Sequence, residues 1–246
     1  MPYIKDRSGS NLFWYFSDYK KAIEKHKGNL KDADLSGLRL TDIDLSGGVL
    51  THADLSRAYL GSSLFENADL SRTNLEGADL SLSRRSQNTN FSNTNASRAS
   101  FVRAEFPDSN FTQANLMRAT LNGGYFTESV FNNSLLSQVL MYGCILTGCS
   151  FIEANLRNST LSHSRITGAT FDRADLTGAE VENCGLIEAT FSQTWIRRAS
   201  FSGSQVPYLE DKEWYLREKN RESWDPDYAE PERDVPKTLS RFDRIS

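Results

Sequence analysis

The chain has 246 residues, 38% of them hydrophobic, and a formal charge of −4. It contains no run of 18 apolar residues, which excludes a membrane-spanning helix of ordinary length. Its first residues lack the basic, apolar and small-residue segments of a secretory signal, so a cytoplasmic location is expected. Basic and acidic residues number 28 and 32, and this balance argues neither for nor against a nucleic-acid partner.

Residues 1–29 form the first predicted unit. The segment from Asn11 to Lys27 combines five aromatic residues and Ile23 with four lysines, which indicates an amphipathic helix. Ser10 or Asn11 would cap this helix and Gly28 would end it. Because the open end of a repeat fold exposes core and unpaired strand groups, we expect a helical cap here. A membrane-surface or partner-binding helix is the alternative.

Residues 30–206 repeat with a period of five. Every fifth residue from Leu30 to Leu80 is apolar, and after one inserted residue the series resumes at Phe91 and continues to Val206. Of these 35 central positions, 18 are Leu and 11 are Phe. A period of five matches neither the 3.6 of a helix nor the 2.0 of a strand. Fixed-period repetition of this kind is typical of a solenoid.

A second spacing, of 20 residues, indicates how the pentapeptides stack. Phenylalanine recurs six times at this spacing, so four pentapeptides per turn would place six rings above one another. Two residues before the central position, 32 of 35 residues are small ones: Gly, Ala, Ser, Thr or Cys. The sequence therefore predicts a four-sided coil of almost nine turns, about 43 Å long at the usual spacing of paired strands. The predicted core stack consists of Phe91, Phe111, Phe131, Phe151, Phe171 and Phe191.

Individual units resemble the consensus A(D/N)LXX of the pentapeptide repeat proteins. The clearest are residues 53–57 (ADLSR), 68–72 (ADLSR), 114–118 (ANLMR) and 174–178 (ADLTG). The resemblance extends over residues 30–206 and implies an all-β solenoid, a right-handed quadrilateral parallel β-helix. Members of the family have no common active site, so the resemblance implies no single function.

The register breaks at residues 81–90. Leu80 and Phe91 are 11 residues apart where 10 would keep the period, and Arg84 or Arg85 falls at the expected central position. One side of one coil should therefore bulge outward. The bulge is either a tolerated insertion or a recognition loop that presents the two arginines.

Charge is distributed unevenly around the predicted rod. Counting sides from Leu30, the fourth side carries six acidic residues. The only basic residue in its regular units is Arg165. Such a stripe shapes the electric field that a partner meets, although surface charges also serve solubility alone. The members of this acidic side are Asp44, Glu66, Glu105, Asp108, Glu128 and Glu188.

Large apolar residues also precede five successive central positions, where Asp, Asn, Ser or Thr is commoner in this chain. Five sides encircle the predicted rod once. An exposed apolar patch of this kind is typical of a protein-binding surface, and stacking between coils is the alternative explanation. The members of this apolar belt are Tyr125, Val130, Leu135, Leu140 and Ile145.

Pro207 ends the repeat, and residues 207–246 form the third unit. A short charged helix followed by an extended, proline-containing tail is predicted here. This segment caps the last coil, stays loose, or joins two rods into a homodimer, the last as the resemblance to gyrase-protecting family members implies.

The residue types needed for catalysis do not cluster in the sequence. The three cysteines are predicted to be buried thiols, and no nucleophile motif, phosphate loop or metal-spaced group occurs. We therefore expect no enzyme activity, cofactor or metal. The favoured function is a protein-binding scaffold that docks partners through its charged sides and the apolar belt, with neither nucleic acid nor membrane as a direct partner.

An alternative function follows from the family resemblance. Some members imitate duplex DNA, occupy a type II topoisomerase (DNA gyrase) and confer fluoroquinolone resistance. Such a mimic needs widespread acidity, because it must satisfy basic residues that normally meet phosphates. Residues 30–206 contain 18 acidic and 14 basic residues, and the second side is rich in arginine, so the scaffold is preferred.

Overall fold

The structure, a computed structural model, describes residues 3–14 and 18–204. Strands β1 (Tyr3–Lys5) and β2 (Asn11–Trp14), helix α1 (Tyr19–Lys25) and a 3₁₀ turn (Lys27–Asn29) precede the repeat. The remaining described residues form the coils of a solenoid. No described helix has the length and apolar character needed to cross a membrane.

Each pentapeptide forms one side and one corner of the solenoid. The carbonyl of the central residue accepts a hydrogen bond from the N–H three residues later, as Leu50 does from Ala53 at 2.9 Å. The residue two positions after the centre has a positive φ, for example 60° at His52, as the third residue of a type II turn does. Arg, Asn, Gln, Glu and Leu all occur at this position, so the fold accommodates side chains that rarely adopt such a φ.

Successive coils pair as parallel ladders. Bridges join residues 20 positions apart, such as Asp54 with Asn74. The N–H of Leu55 donates to the Asn74 carbonyl at 2.7 Å, and the N–H of Asn74 donates to the Ala53 carbonyl at 2.9 Å. A ladder spacing of 20 residues requires four pentapeptides per coil, so the predicted four-sided solenoid is confirmed.

The core is a column of central residues along the axis. Those from Leu30 to Phe201 are all buried, and none exceeds the 8% exposure of Ile196. The six rings from Phe91 to Phe191 stack face to face, with neighbouring centroids 4.6 to 5.1 Å apart and interplanar angles of 10° or less. This separation matches the spacing between paired strands, so the backbone ladder sets the distance between rings.

The N-terminal segment begins with a hairpin, so the helix predicted over residues 11–27 is wrong in its first part. Strand β2 pairs antiparallel with β1, and the Asp6 carboxylate accepts N–H bonds from Ser8 and Ser10 in the turn between them. Aromatic residues favour strands, which explains why this segment pairs with β1. Helix α1 starts only after Asp18, whose side chain accepts the N–H of Lys21 at 3.2 Å.

The same segment lies over the first coil. The end of β1 is bonded to the first coil: the Asp34 N–H donates to the Lys5 carbonyl at 2.8 Å, and Asp6 forms an antiparallel bridge with Ala33. The Lys27 ammonium forms an ion pair with Asp44 at 3.0 Å. The four central residues of the first coil have no exposed surface. The predictions for residues 207–246, a helix and tail that cap or dimerise, lie outside the described residues.

The register break lies on the fourth side and differs from the expectation. Ser86, rather than Arg84 or Arg85, is the buried residue at the central position, and both arginines are exposed. The Ser86 hydroxyl accepts the N–H of Phe65 at 3.2 Å, replacing a backbone carbonyl of the regular coils. Because serine is small, the rings of Phe65 and Phe106 approach across it to 5.9 Å. The extra residue is therefore taken up at the surface and the core closes over the gap.

Candidate functional site

A surface depression of about 430 Å³, which we call the corner notch, lies between the third and fourth sides. Its residues come from four successive coils that begin at the register break. They are contributed by the corner between these sides and by the first part of the fourth side. The lining residues are Leu82, Arg84, Arg103, Ala104, Glu105, Gly123, Gly124, Tyr125, Gly143 and Ile145.

The notch is open because two successive corner positions lack a side chain. Along this corner the equivalent residues are Leu82, Arg103, Gly123, Gly143 and His163, with φ of 59°, 55°, 67°, 67° and 62°. Since leucine, arginine and histidine adopt this backbone at the same corner, the turn does not demand glycine. The two glycines therefore leave a gap that a side chain could otherwise cover.

The floor of the notch is backbone at Gly124, where glycine is sterically required. A Cβ at this position would lie 2.5 Å from a ring carbon of Phe126 and 2.8 Å from the carbonyl oxygen of Leu121. Real Cβ atoms do not approach other atoms so closely. Gly124 is buried at the inward position two residues before Phe126, so its missing side chain makes room for the Phe126 ring in the core. Its N–H and carbonyl are already bonded, to Leu121 and Ile145 respectively.

Residues from three features that were predicted separately from the sequence lie together at the notch. Arg84 comes from the register break, Glu105 from the acidic side, and Tyr125 and Ile145 from the apolar belt. Sequence analysis did not identify the notch itself. A comparison of corner residues at 20-residue spacing, where Gly123 and Gly143 align, would have revealed it.

Charged groups at the notch are unpaired. Within the described residues, the side chains of Arg84, Arg103 and Glu105 form no ion pair, and no hydrogen bond of these side chains is present. The N–H of Arg84 and the carbonyl of Glu105 are also missing from the backbone ladder. These groups are free to bind a ligand that supplies opposite charges and hydrogen-bonding partners.

The apolar belt is partly exposed. Tyr125, Leu135 and Leu140 are 40%, 43% and 43% exposed, whereas Val130 and Ile145 are half-buried. In the described ladders the belt residues meet each other only in the Tyr125–Ile145 bridge, and elsewhere they pair with residues such as Asn, Ser and Thr. Stacking between coils therefore accounts for one pair of the belt, and the rest of its apolar surface faces solvent.

The acidic side is not uniform. Asp44 is paired with Lys27; burial raises the pKa of this carboxyl, but hydrogen bonds from Ser46 and Lys27 outweigh that effect and lower it overall. Glu66 accepts a hydrogen bond from the Gln87 amide at 2.8 Å. The four other members are exposed and, among the described residues, have no ion pair: Glu105, Asp108, Glu128 and Glu188.

The three cysteines occupy small inward positions. The thiols of Cys144, Cys149 and Cys184 donate to backbone carbonyls of the preceding coil at 3.1, 2.9 and 3.1 Å. Burial raises the pKa of Cys144 to about 12 and also raises the pKa of the other two thiols. Within residues 3–14 and 18–204, no three His, Cys, Asp or Glu side chains converge as a metal site would need.

Comparison with known proteins places these observations in a family. A family model described as pentapeptide repeats matches in eight copies, over residues 29–67, 49–84, 87–123, 125–162 and 164–203. No curated protein sequence matches the chain.

Among solved structures, the chain is similar to a trypsin-treated form of QnrB1, a plasmid-mediated fluoroquinolone resistance protein. The TM-score is 0.53 and the sequence identity is 18%, and the alignment covers 75% of this chain and 93% of QnrB1. HetL from Nostoc sp. strain PCC 7120, involved in heterocyst differentiation regulation, aligns at 21% identity with a TM-score of 0.31, covering 79% of this chain and 91% of HetL.

Proposed function

Since the chain belongs to the pentapeptide repeat family and has its right-handed quadrilateral β-helix, we propose that it is a non-enzymatic rod that binds a partner protein. The corner notch is the observation that carries this proposal. There the exposed Tyr125 ring lies beside charged side chains that have no partner in the described chain. A cytoplasmic location is part of the same proposal.

The surface around the notch has the composition of a protein interface. Such interfaces combine an apolar centre, often with tyrosine, and a polar rim that supplies directed hydrogen bonds. Tyr125 and Ile145 provide the apolar part and continue into the belt at Leu135 and Leu140. Rigid parallel ladders above and below hold these residues in place, so binding would cost little ordering of the rod.

A photo-cross-linking residue at position 125 tests this function in cells that naturally produce the protein. We expect a covalent adduct with a second protein, and we expect the double variant Leu135→Asn, Leu140→Asn to lower its yield. The matched control is Val49→Asn, Tyr59→Asn, because these residues precede central positions and are 38% and 49% exposed, yet lie outside the belt. Absence of any protein adduct, or equal yields in both double variants, would contradict the proposal.

A second candidate function is regulation or protection of a type II topoisomerase by imitation of DNA. It is supported by the exposed carboxylates of Glu105 and Asp108 on one coil and Glu128 on the next, none of which forms an ion pair with a described residue. Duplex DNA, however, carries about one negative charge per 1.7 Å of axis, so a rod of about 43 Å would need about 25 such charges. The six acidic residues of this side fall well short of that density, and the protein-binding rod is preferred.

A gyrase supercoiling assay, with and without a fluoroquinolone, separates the two candidates. The protein-binding rod should leave supercoiling and drug sensitivity unchanged. Inhibition or protection that disappears in the triple variant Glu105→Gln, Asp108→Asn, Glu128→Gln would support the second candidate instead.

A further inference from the structure

We propose that the corner notch binds an extended segment of a partner protein in which an acidic residue stands next to a large apolar residue. This inference rests on the proposed protein-binding function and specifies its ligand. The carboxylate of the segment binds Arg84 and Arg103, and the apolar side chain packs on Tyr125 and Ile145.

The two arginines define the charge of the ligand. Both residues line one depression, and their guanidinium groups have no ion pair or hydrogen bond in the described chain. Guanidinium and carboxylate form short, charge-assisted hydrogen bonds that are about twice as strong as neutral ones. Glu105 on the same wall leaves the notch with one net positive charge from its three ionised side chains.

The acidic surroundings favour a single carboxylate over a polyanion. Glu105, Asp108 and Glu128 lie on the same side of the rod as the notch and are exposed. They would repel the successive phosphates of a nucleic acid. One acidic side chain within an otherwise neutral or basic segment meets the arginines without that repulsion.

The apolar wall favours an extended polypeptide over a small anion. Tyr125 and Ile145 line the notch and are bridged to each other as neighbouring rungs of one ladder. The same two residues begin and end the apolar belt, so the surface continues beyond the notch. A ligand that uses both surfaces must carry an apolar group beside its carboxylate and extend along the rod.

Free main-chain groups at the register break provide further binding partners. In regular coils the residue just before each central residue donates its N–H to a carbonyl of the preceding coil. Its own carbonyl accepts an N–H from that same preceding coil. At the break, where one residue is inserted before Ser86, the N–H groups of Arg84 and Arg85 and the carbonyl of Glu105 have no such partner, and Arg84 and Glu105 line the notch. An extended backbone can pair with such groups, as in strand addition to a sheet edge.

The first experiment selects ligands from a displayed library of random peptides about 12 residues long, with the full chain as bait. Peptides that also bind the variant Gly143→Asn are removed. Asparagine adopts a similar φ of 58° at Asn133, and a Cβ at Gly143 meets no atom within 4 Å, so the variant places a side chain at the notch without a steric clash. We expect the remaining peptides to share an Asp or Glu beside a Leu, Ile, Met or aromatic residue.

The second experiment measures affinity of an enriched peptide by fluorescence polarisation. Weakening by Gly143→Asn is required by the selection itself, so Arg103→Gln is the independent test variant. We expect it to weaken binding at least about tenfold, a loss of about 1.4 kcal/mol. Gly168→Asn and Arg98→Gln are the matched controls and should change affinity less than about twofold. Gly168 has the same φ of 67° with open space around it, and Arg98 is an exposed corner arginine with φ of 59°.

The outcomes separate this inference from the proposed function. Failure to enrich any peptide, enrichment without an acidic residue, or equal weakening by test and control variants would overturn the inference. If the cross-link from position 125 to a partner protein nevertheless forms, the protein-binding function stands and only the ligand assigned to the notch is wrong. If neither experiment gives a protein or peptide ligand, both proposals fail.

Discussion

The first and fourth sides of the rod each contribute a column of apolar central residues, but the fourth side has a serine at one central position. On the first side, the rings from Phe91 to Phe191 stack without interruption. On the fourth side, Ser86 stands between Phe65 and Phe106, and those two rings tilt by 40° towards each other. The difference shows that the solenoid absorbs an inserted residue by using a small inward side chain and repacking the aromatic rings around it.

The fourth side also shows what the insertion costs in hydrogen bonds. In regular coils, many inward hydroxyls and thiols donate to a carbonyl 23 residues earlier, as Ser63 does to Leu40 and Ser164 does to Met141. At the break, the ladder lacks the bonds of the Arg84 and Arg85 N–H groups and of the Glu105 carbonyl. The buried hydroxyl of Ser83 also has no partner, as is true of Ser159 in a regular coil. Because each lost backbone hydrogen bond lowers stability by about 0.5–1.5 kcal/mol, this coil should be the least stable part of the fourth side, and it also borders the corner notch.

The largest effect is expected on the uninterrupted first side. Phe131→Ala removes a fully buried ring that stacks on Phe111 and Phe151 at 4.7 and 5.0 Å. We expect the free energy of unfolding to fall by about 3–5 kcal/mol, because the rigid ladders on all four sides prevent the cavity from closing. Urea denaturation followed by far-UV circular dichroism measures the change.

Leu135→Ala is the control for this substitution. Leu135 lies on the adjacent second side and is 43% exposed, so its truncation should change stability by less than about 0.5 kcal/mol. If Phe131→Ala were equally mild, the ring stack would not be a main source of stability and the contrast between the two sides would lose its basis.

A smaller effect is expected from Cys144, which lies on the fourth side beyond the break. Burial raises the pKa of its thiol to about 12, whereas an unfolded thiol ionises near pH 8.5. Above that pH the unfolded state loses the proton and the folded state keeps it, so stability falls as the pH rises towards 12. Between pH 8.5 and 10, the parent protein should lose about 1–2 kcal/mol more than Cys144→Ser.

Serine is a suitable replacement because Ser164 occupies the equivalent position in the next coil and donates to the Met141 carbonyl at 2.7 Å. The comparison requires urea denaturation of both proteins at the two pH values. Parallel loss of stability in the two proteins would mean that water reaches the thiol, and that the regular part of the fourth side is less tightly packed than the first.

Most of the architecture could be predicted because the period is a property of the sequence alone. The apolar residues at every fifth position have to lie on the axis, and the 20-residue recurrence of phenylalanine gives four sides per turn. The N-terminal hairpin could not be predicted in this way. Its strand β2 pairs with β1, and a segment rich in aromatic residues is compatible with a strand or a helix until that partner is known.

The candidate site was predicted only in parts. The sequence singled out three of the lining residues, Tyr125, Ile145 and Glu105, because they differ from the usual residues of the repeat unit. That they lie in one notch depends on which corner of the solenoid each one faces. The central residue at the break was assigned to an arginine because a constant period was assumed. The structure instead places the extra residue before Ser86, whose side-chain hydroxyl replaces a backbone carbonyl as hydrogen-bond acceptor. A five-residue period alone cannot predict that replacement.

The smallest expected effect isolates this exchange. Ser86→Ala removes the hydroxyl that accepts the Phe65 N–H and donates to the Arg84 carbonyl at 3.0 Å. Because the Phe65 N–H then loses its partner in the core, we expect a loss of about 1 kcal/mol in urea denaturation. Ser83→Ala is the matched control, since Ser83 is equally buried and its hydroxyl already has no partner. That control should leave stability unchanged or raise it slightly. Equal losses in the two variants would show that the hydroxyl of Ser86 does not replace the missing ladder bond, and that ring packing alone closes the break.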